Sequence, residues 1–156
     1  MTALTGQPQV FAGDTSVVDS SAQHPVGTRA FDVNGNEFVY GLGVASTILG
    51  SWVTFDENHA TALLTANAVG RVGVAMAAIV ASKYGWYQIW GKNTAASCDT
   101  IADNKPCYID ATDGRVDDAG VAGDLVFGAI SRSTDSSNLC TVELNHPFVC
   151  DGAYLV

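Results

Sequence analysis

The residues of this chain that could do chemistry are four clustered acids, three histidines and four cysteines. Their spacing restricts each. Asp110, Asp113, Asp117 and Asp118 fall in one short stretch, and hard cations such as calcium are held by several carboxylate oxygens at close spacing. The stretch does not fit the alternating calcium loop, because Gly114 follows only one correctly placed acid. Asp side chains that cap turns explain it better, so neither a metal nor another cofactor is expected. His24, His59 and His146 stand far apart. A cysteine nucleophile would need one of them, and an orienting group, brought to it by the fold. No HExxH, nucleophile elbow or phosphate-binding loop is present, and the chain is not expected to be an enzyme.

Cys98, Cys107, Cys140 and Cys150 are separated within the first and last pairs by eight and nine positions. Neither spacing is the C-x-x-C of a zinc knuckle or redox site. The two shortest loops are closed by Cys98–Cys107 and Cys140–Cys150. Staples of that length would stabilise by roughly 2–3 kcal/mol each in the chain-entropy model. Four ordinary buried thiols are the alternative. A chain that starts MTALTGQPQVFAGD, with no basic start and no apolar core, is expected to carry no secretion signal. Its disulfides would then form after release from the cytoplasm.

These residues must be positioned by β structure. Asp and Gly, which suit turns, are frequent, whereas the long helix formers Glu and Lys are few. Thr28-Arg29 to Val44 carries the clearest hairpin signal, with Asn34-Gly35 as a two-residue turn between strands near Arg29–Val33 and Glu37–Tyr40. Ser51 to Phe55 alternates as a strand, and His59 to Ala68 reads as a short helix capped by Asn58. Val72, Val74 and Met76 share one face of a strand, with a helix through Ala75–Ala81 as the competing reading.

The aromatic strand Trp86 to Trp90 ends at Gly91-Lys92. It places Trp86, Gln88 and Trp90 on one face and Tyr87 and Ile89 on the other. A strand apolar on both faces lies inside a sandwich or at a subunit interface, which makes Trp86, Tyr87 and Trp90 candidate interface aromatics. Further strands at Cys107–Ile109, Gly123–Ser131 and Leu139–Asn145 bring the total to eight to ten. That spacing predicts an all-β protein, a small jelly-roll-like β-sandwich or barrel. Residues 1–24, polar and aperiodic, read as an extended N-terminal arm that orders on a partner, and 25–156 as one β domain.

The balance of charge bounds the partners. Sixteen acidic residues oppose seven basic ones, for a formal charge of -9, which repels polyphosphate, so no nucleic acid is expected. The longest apolar run, Val72 to Ala81, is far short of the roughly 20 residues that cross a bilayer, so no membrane is expected either.

Four segments carry a resemblance: HPVGTRAFDVNGNEFVYGLGV at 24–44, SWVTFDE at 51–57, VGVAMAAIVASKYGWYQIWG at 72–91 and GRVDDAGVAGDLVFGAI at 114–130. Together they resemble the capsid cement, or decoration, proteins of tailed bacteriophages. The four-cysteine C-terminal part and the residues before His24 are not matched. The resemblance implies a structural virion protein, a homotrimer on the outer surface of the capsid that ties major capsid subunits together. A head-fibre or tail-associated module that binds host carbohydrate through its Trp and Tyr surface is the alternative, and a small Cys/His hydrolase a third class.

Overall fold

The computed structural model describes residues 13–151. Ten strands form among them: β1 (Arg29–Phe31), β2 (Glu37–Leu42), β3 (Trp52–Phe55), β4 (Thr61–Leu63), β5 (Gly70–Ala75), β6 (Tyr84–Ser97), β7 (Pro106–Ile109), β8 (Val116–Asp117), β9 (Leu125–Ser131) and β10 (Leu139–Val149). The described chain is all-β and sandwich-like. Its strands join in one large antiparallel sheet of order β1-β2-β6-β5-β10-β9-β7-β8, with β3 and β4 branching from β5. The sheet does not close into a barrel.

The sheet forks where three strands meet. β6 pairs with β5 only at Val74↔Gln88 and Ala75↔Tyr87, and with β10 from Asn145↔Trp90 to Leu139↔Ser97. Beyond a register shift between Leu144 and Phe148, β10 turns to β5 at Phe148↔Arg71 and Val149↔Gly70. His146, with φ 43°, sits in that shift, as a bulge that redirects a strand requires. Gly91 does the same for β6. It has φ 92°, and a Cβ there would come within 2.1 Å of Asn36 Oδ1. Gly91 was expected to end the aromatic strand; instead β6 runs on to Ser97 and exchanges β2 for β10 as its partner.

Several local expectations are corrected. His59 to Ala68 is not a helix. His59 has φ 59°, which no right-handed helix accommodates, and Asp56 Oδ1 accepts the amides of Asn58 and Ala60 in a tight turn. Thr61–Leu63 then pairs with β3, so hairpin pairing overrides the helix propensity of a stretch too short to be helical alone. The Ala75–Ala81 stretch is not a helix either, since β5 is followed by turns. The β1–β2 hairpin forms at the expected place with a longer loop. Gly35 donates to the Asp32 carbonyl, and Asp32 to that of Asn36. Only Gly35, not Asn34, has a positive φ, so this is a turn plus Gly bulge rather than the two-residue form.

Three buried clusters result. The largest gathers Trp52, Leu64, Val72 and Val74 with Ile101, Val116 and three of the cysteines. A second unites Val39, Phe55, Ile79, Tyr87 and Ile89. A third joins Ala30, Phe38, Tyr40 and Trp86. Both faces of the aromatic strand are therefore covered from Trp86 to Ile89.

The described half of the N-terminal arm is seated on its own domain. Asp19 and Tyr84 exchange two backbone hydrogen bonds of 2.8 and 3.0 Å. The Tyr40 hydroxyl donates to Asp19 Oδ2 and accepts the Gln23 amide at 3.2 Å. His24 packs edge-on to Tyr40, with ring centroids 5.1 Å apart, and against Trp86. Burial and the Asp19 contact push the Tyr40 hydroxyl up to about 12. Asp19, Gln23 and His24 thus contact their own domain at Tyr40, Tyr84 and Trp86, while most of residues 13–24 are exposed. Residues 1–12 of the expected arm lie outside the described residues.

Candidate functional site

The cysteines lie in a dry core. Cys98, Cys107 and Cys140 are buried in the largest cluster and Cys150 is half-buried past the end of β10. All four are free thiols, and neither expected staple is present. Cys140 and Cys150 stand at opposite ends of β10, roughly 30 Å apart at the rise of a strand, whereas a disulfide brings Cα atoms within about 7 Å. Cys98 instead adjoins Cys140. The register Leu139↔Ser97 and Cys140↔Ala96 sets them diagonally across the β6–β10 ladder, and the two thiols interact. Burial pushes the Cys107 thiol up to about 12 and those of Cys98 and Cys140 upward as well. A thiol so shifted is a poor nucleophile.

The acidic stretch is spent on turns. Asp110 Oδ1 accepts the Thr112 amide at 2.7 Å, Asp117 Oδ1 that of Ala119 at 3.0 Å, and Asp118 Oδ2 that of Ala102 at 2.9 Å. Partial burial raises the Asp117 carboxyl, opposed by its bond from Ala119 and reinforced by Asp110 and Asp118. No group of three metal-ligating side chains occurs among the described residues.

The candidate interface aromatics divide. Trp86 and Tyr87 are core residues, 3% and 0% exposed, and cannot reach a partner; Trp90 is 41% exposed. The sequence placed Trp86 and Trp90 on one face, but β6 has a register shift between them, where Glu37↔Trp90 is followed by Phe38↔Gln88. Trp90 lies over His146, ring centroids 5.3 Å apart, beside a groove lined by Asn34, Asn36 and Lys92.

What no spacing announced is a cleft at the fork. It has a volume of about 60 Å³, and Arg29, His59, Arg71 and His146 surround it above a floor that includes Val39 and Ile89. Four elements supply these side chains: β1, the β3–β4 turn, β5 and the β10 bulge. Glu37, only 6% exposed, anchors one wall, its Oε1 taking Arg29 Nη1 at 2.7 Å and its Oε2 lying 2.8 Å from His146 Nε2. On the other wall Arg71 Nη2 donates to the Asp56 carbonyl at 2.8 Å, and its Nη1 lies 3.3 Å from His59 Nε2. The His59 ring packs on Gly27, where a Cβ would come within 2.6 Å of the ring. Burial holds the His59 imidazole below its ordinary value, helped by Arg71 and Arg29 and opposed by Asp56.

The histidines thus partner aromatic rings, Arg71 and Glu37 rather than thiols, so the fold does not assemble a Cys/His pair among the described residues. In comparisons with family models, with curated proteins and with solved structures, nothing matches the chain.

Proposed function

We propose that this protein is a structural virion component, a decoration protein that binds the outside of a phage head and ties major capsid subunits together as a homotrimer. The support from sequence is the four-segment resemblance across residues 24–130. The observation that carries the reading is the solvent side of β6, β9 and β10. Trp90, Ile130 and Phe148 are exposed there, and Phe127 stacks on Phe148 at 4.9 Å, leaving rigid apolar surface for a partner. Three such faces in one trimer engage a shell together, so modest individual contacts act as one strong attachment. A ligand that binds only the assembled shell stabilises it by mass action.

The test adds purified protein to shells prepared without it, and measures the bound copies per shell and the temperature of DNA release. A fixed ratio and a higher release temperature are expected. Absence of binding, or binding with no change in release, overturns the reading. Removing residues 1–12 leaves the Asp19–Tyr84 seat in place. If that truncation binds as well as the full chain, the anchor is the β face and not the arm.

A second reading, a carbohydrate-binding module, is favoured by Trp90 alone, since an exposed indole beside amide side chains suits a sugar ring. Saturable quenching of Trp90 fluorescence by a host glycan, lost in Trp90→Ala, would support it.

A further inference from the structure

We infer that the cleft at the sheet fork is a receptor for a carboxylate group carried on a short apolar stem. Four observations converge on this ligand. First, the fork leaves a gap that the backbone cannot fill. β5 and β6 part beyond Val74↔Gln88, toward Val72 and Ile89, and β10 joins β5 only from Phe148↔Arg71. Second, although the chain holds only seven Lys and Arg against sixteen acids, two of its four arginines and two of its three histidines line this one gap.

Third, the charged groups are held in place before any ligand arrives. Arg29 is fixed by the buried Glu37, and Arg71 by the Asp56 carbonyl and the His59 ring. Arg71 has no carboxylate within ion-pair distance among the described residues. A guanidinium has five donors in a planar fork that matches a carboxylate, so Arg71 retains donors for a ligand. Preorganisation of this kind reduces the entropy lost on binding. Fourth, the floor of Val39, Phe55 and Ile89 is apolar and the volume is about 60 Å³. A carboxylate and a few carbons fit such a space, and the floor gives a hydrated inorganic anion no donors in return. The receptor adjoins the shell-binding face proposed above, with His146 packed against Trp90, but its argument does not require that face.

The experiment is an NMR titration of the full chain, following the imidazole signals of His59 and His146, with propionate, inorganic phosphate and sodium chloride at matched ionic strength. Saturable shifts with propionate are expected, with chloride producing none and phosphate only weak ones. Arg71→Gln is expected to weaken propionate binding by about ten-fold or more, the discrimination typical of losing one charge-assisted pair. Arg71→Lys, which keeps the charge and loses the fork, should fall between the two. Arg71 is exposed, and a thermal melt of each variant confirms that it is folded. Shifts that follow ionic strength alone overturn the proposal, as do equal responses to phosphate and propionate or an unchanged response in folded Arg71→Gln. Tighter binding of an N-acetylated dipeptide than of its C-terminal amide would support a polypeptide as the source of the group.

Discussion

Around Trp52 the molecule buries groups that could react, and at the fork it presents groups that can carry charge. In the first region three thiols lie among branched aliphatic side chains, and the Trp52 indole donates to the Ser97 carbonyl at 3.0 Å. In the second, two arginines and two histidines line a cleft at the surface, and the buried Glu37 holds one of each, Arg29 and His146. The contrast shows why residue type alone does not identify a site. A thiol in a dry core is raised and silent, whereas the same chain holds its imidazoles where ions and solvent reach them. Functional contacts are therefore sought at the fork and on the solvent side of β6, not around the cysteines.

The widest separation between the regions is in stability. Trp52 is wholly buried, and truncating a buried aromatic leaves a cavity that the neighbours only partly fill. Trp52→Ala is expected to lower unfolding free energy by about 3–5 kcal/mol. Trp90→Ala, at the edge of the fork, is expected to change it by less than about 1 kcal/mol while reducing attachment to shells. Chemical denaturation of both variants checks the pair. Equal destabilisation would erase the distinction between a core and a docking aromatic.

The cysteines sharpen the comparison next. The register makes Cys98–Cys140 the pair poised to bond, so a small oxidised disulfide is expected to join them when the core opens. The two thiols give up two protons and two electrons, and the reagent leaves as two thiols. The loop so closed spans about 40 residues, and the chain-entropy model gives up to about 4 kcal/mol of stabilisation, less any strain. Trypsin reports the pairing directly. Cleavage after Lys92, Arg115 and Arg132, with Lys105 protected by Pro106, places Cys98 and Cys107 on one peptide and Cys140 and Cys150 on another. The local staples would keep these peptides apart; Cys98–Cys140 links them, and Cys98→Ser should abolish the link while Cys150→Ser leaves it.

The fold class was legible because it rests on local signals. Alternation in Ser51–Phe55 and Trp86–Trp90, and the turn at Asn34-Gly35, mark strands with no knowledge of what pairs with them. The errors fall where residues outside the stretch decide. Thr61–Leu63 is a strand because β3 lies beside it. Gly91 is a bend within β6 because Asn36 and β10 take its two sides. Asp19, Gln23 and His24 touch the domain because Tyr40, Tyr84 and Trp86 meet there. The cleft was invisible for the same reason: Arg29, His59, Arg71 and His146 are strangers in sequence and meet only when the sheet forks. Of the aromatics chosen as interface candidates, alternation could not separate Trp90 from Trp86, because the register shift between them at Gln88–Trp90 lies beyond a period of two.

The smallest expected effect lies at His59 and concerns pH. Its imidazole is held below the ordinary 6.5 by burial, with Arg71 and Arg29 adding to the shift and Asp56 opposing it. The unfolded chain, with an ordinary histidine, therefore binds a proton at higher pH than the folded one. Stability rises with pH wherever the unfolded state holds more protons, so this group favours the folded state fully above 6.5. Its contribution is lost as pH falls from 6.5 toward the depressed folded value. The ring is partly solvated, which keeps the effect small. Asn tolerates the left-handed backbone that His59 adopts at φ 59°. His59→Asn is therefore expected to fold and to flatten the pH dependence of the melting temperature just below 6.5, with little change above it. An unchanged profile in folded His59→Asn would show that burial and the positive field of Arg29 and Arg71 do not act on this ring.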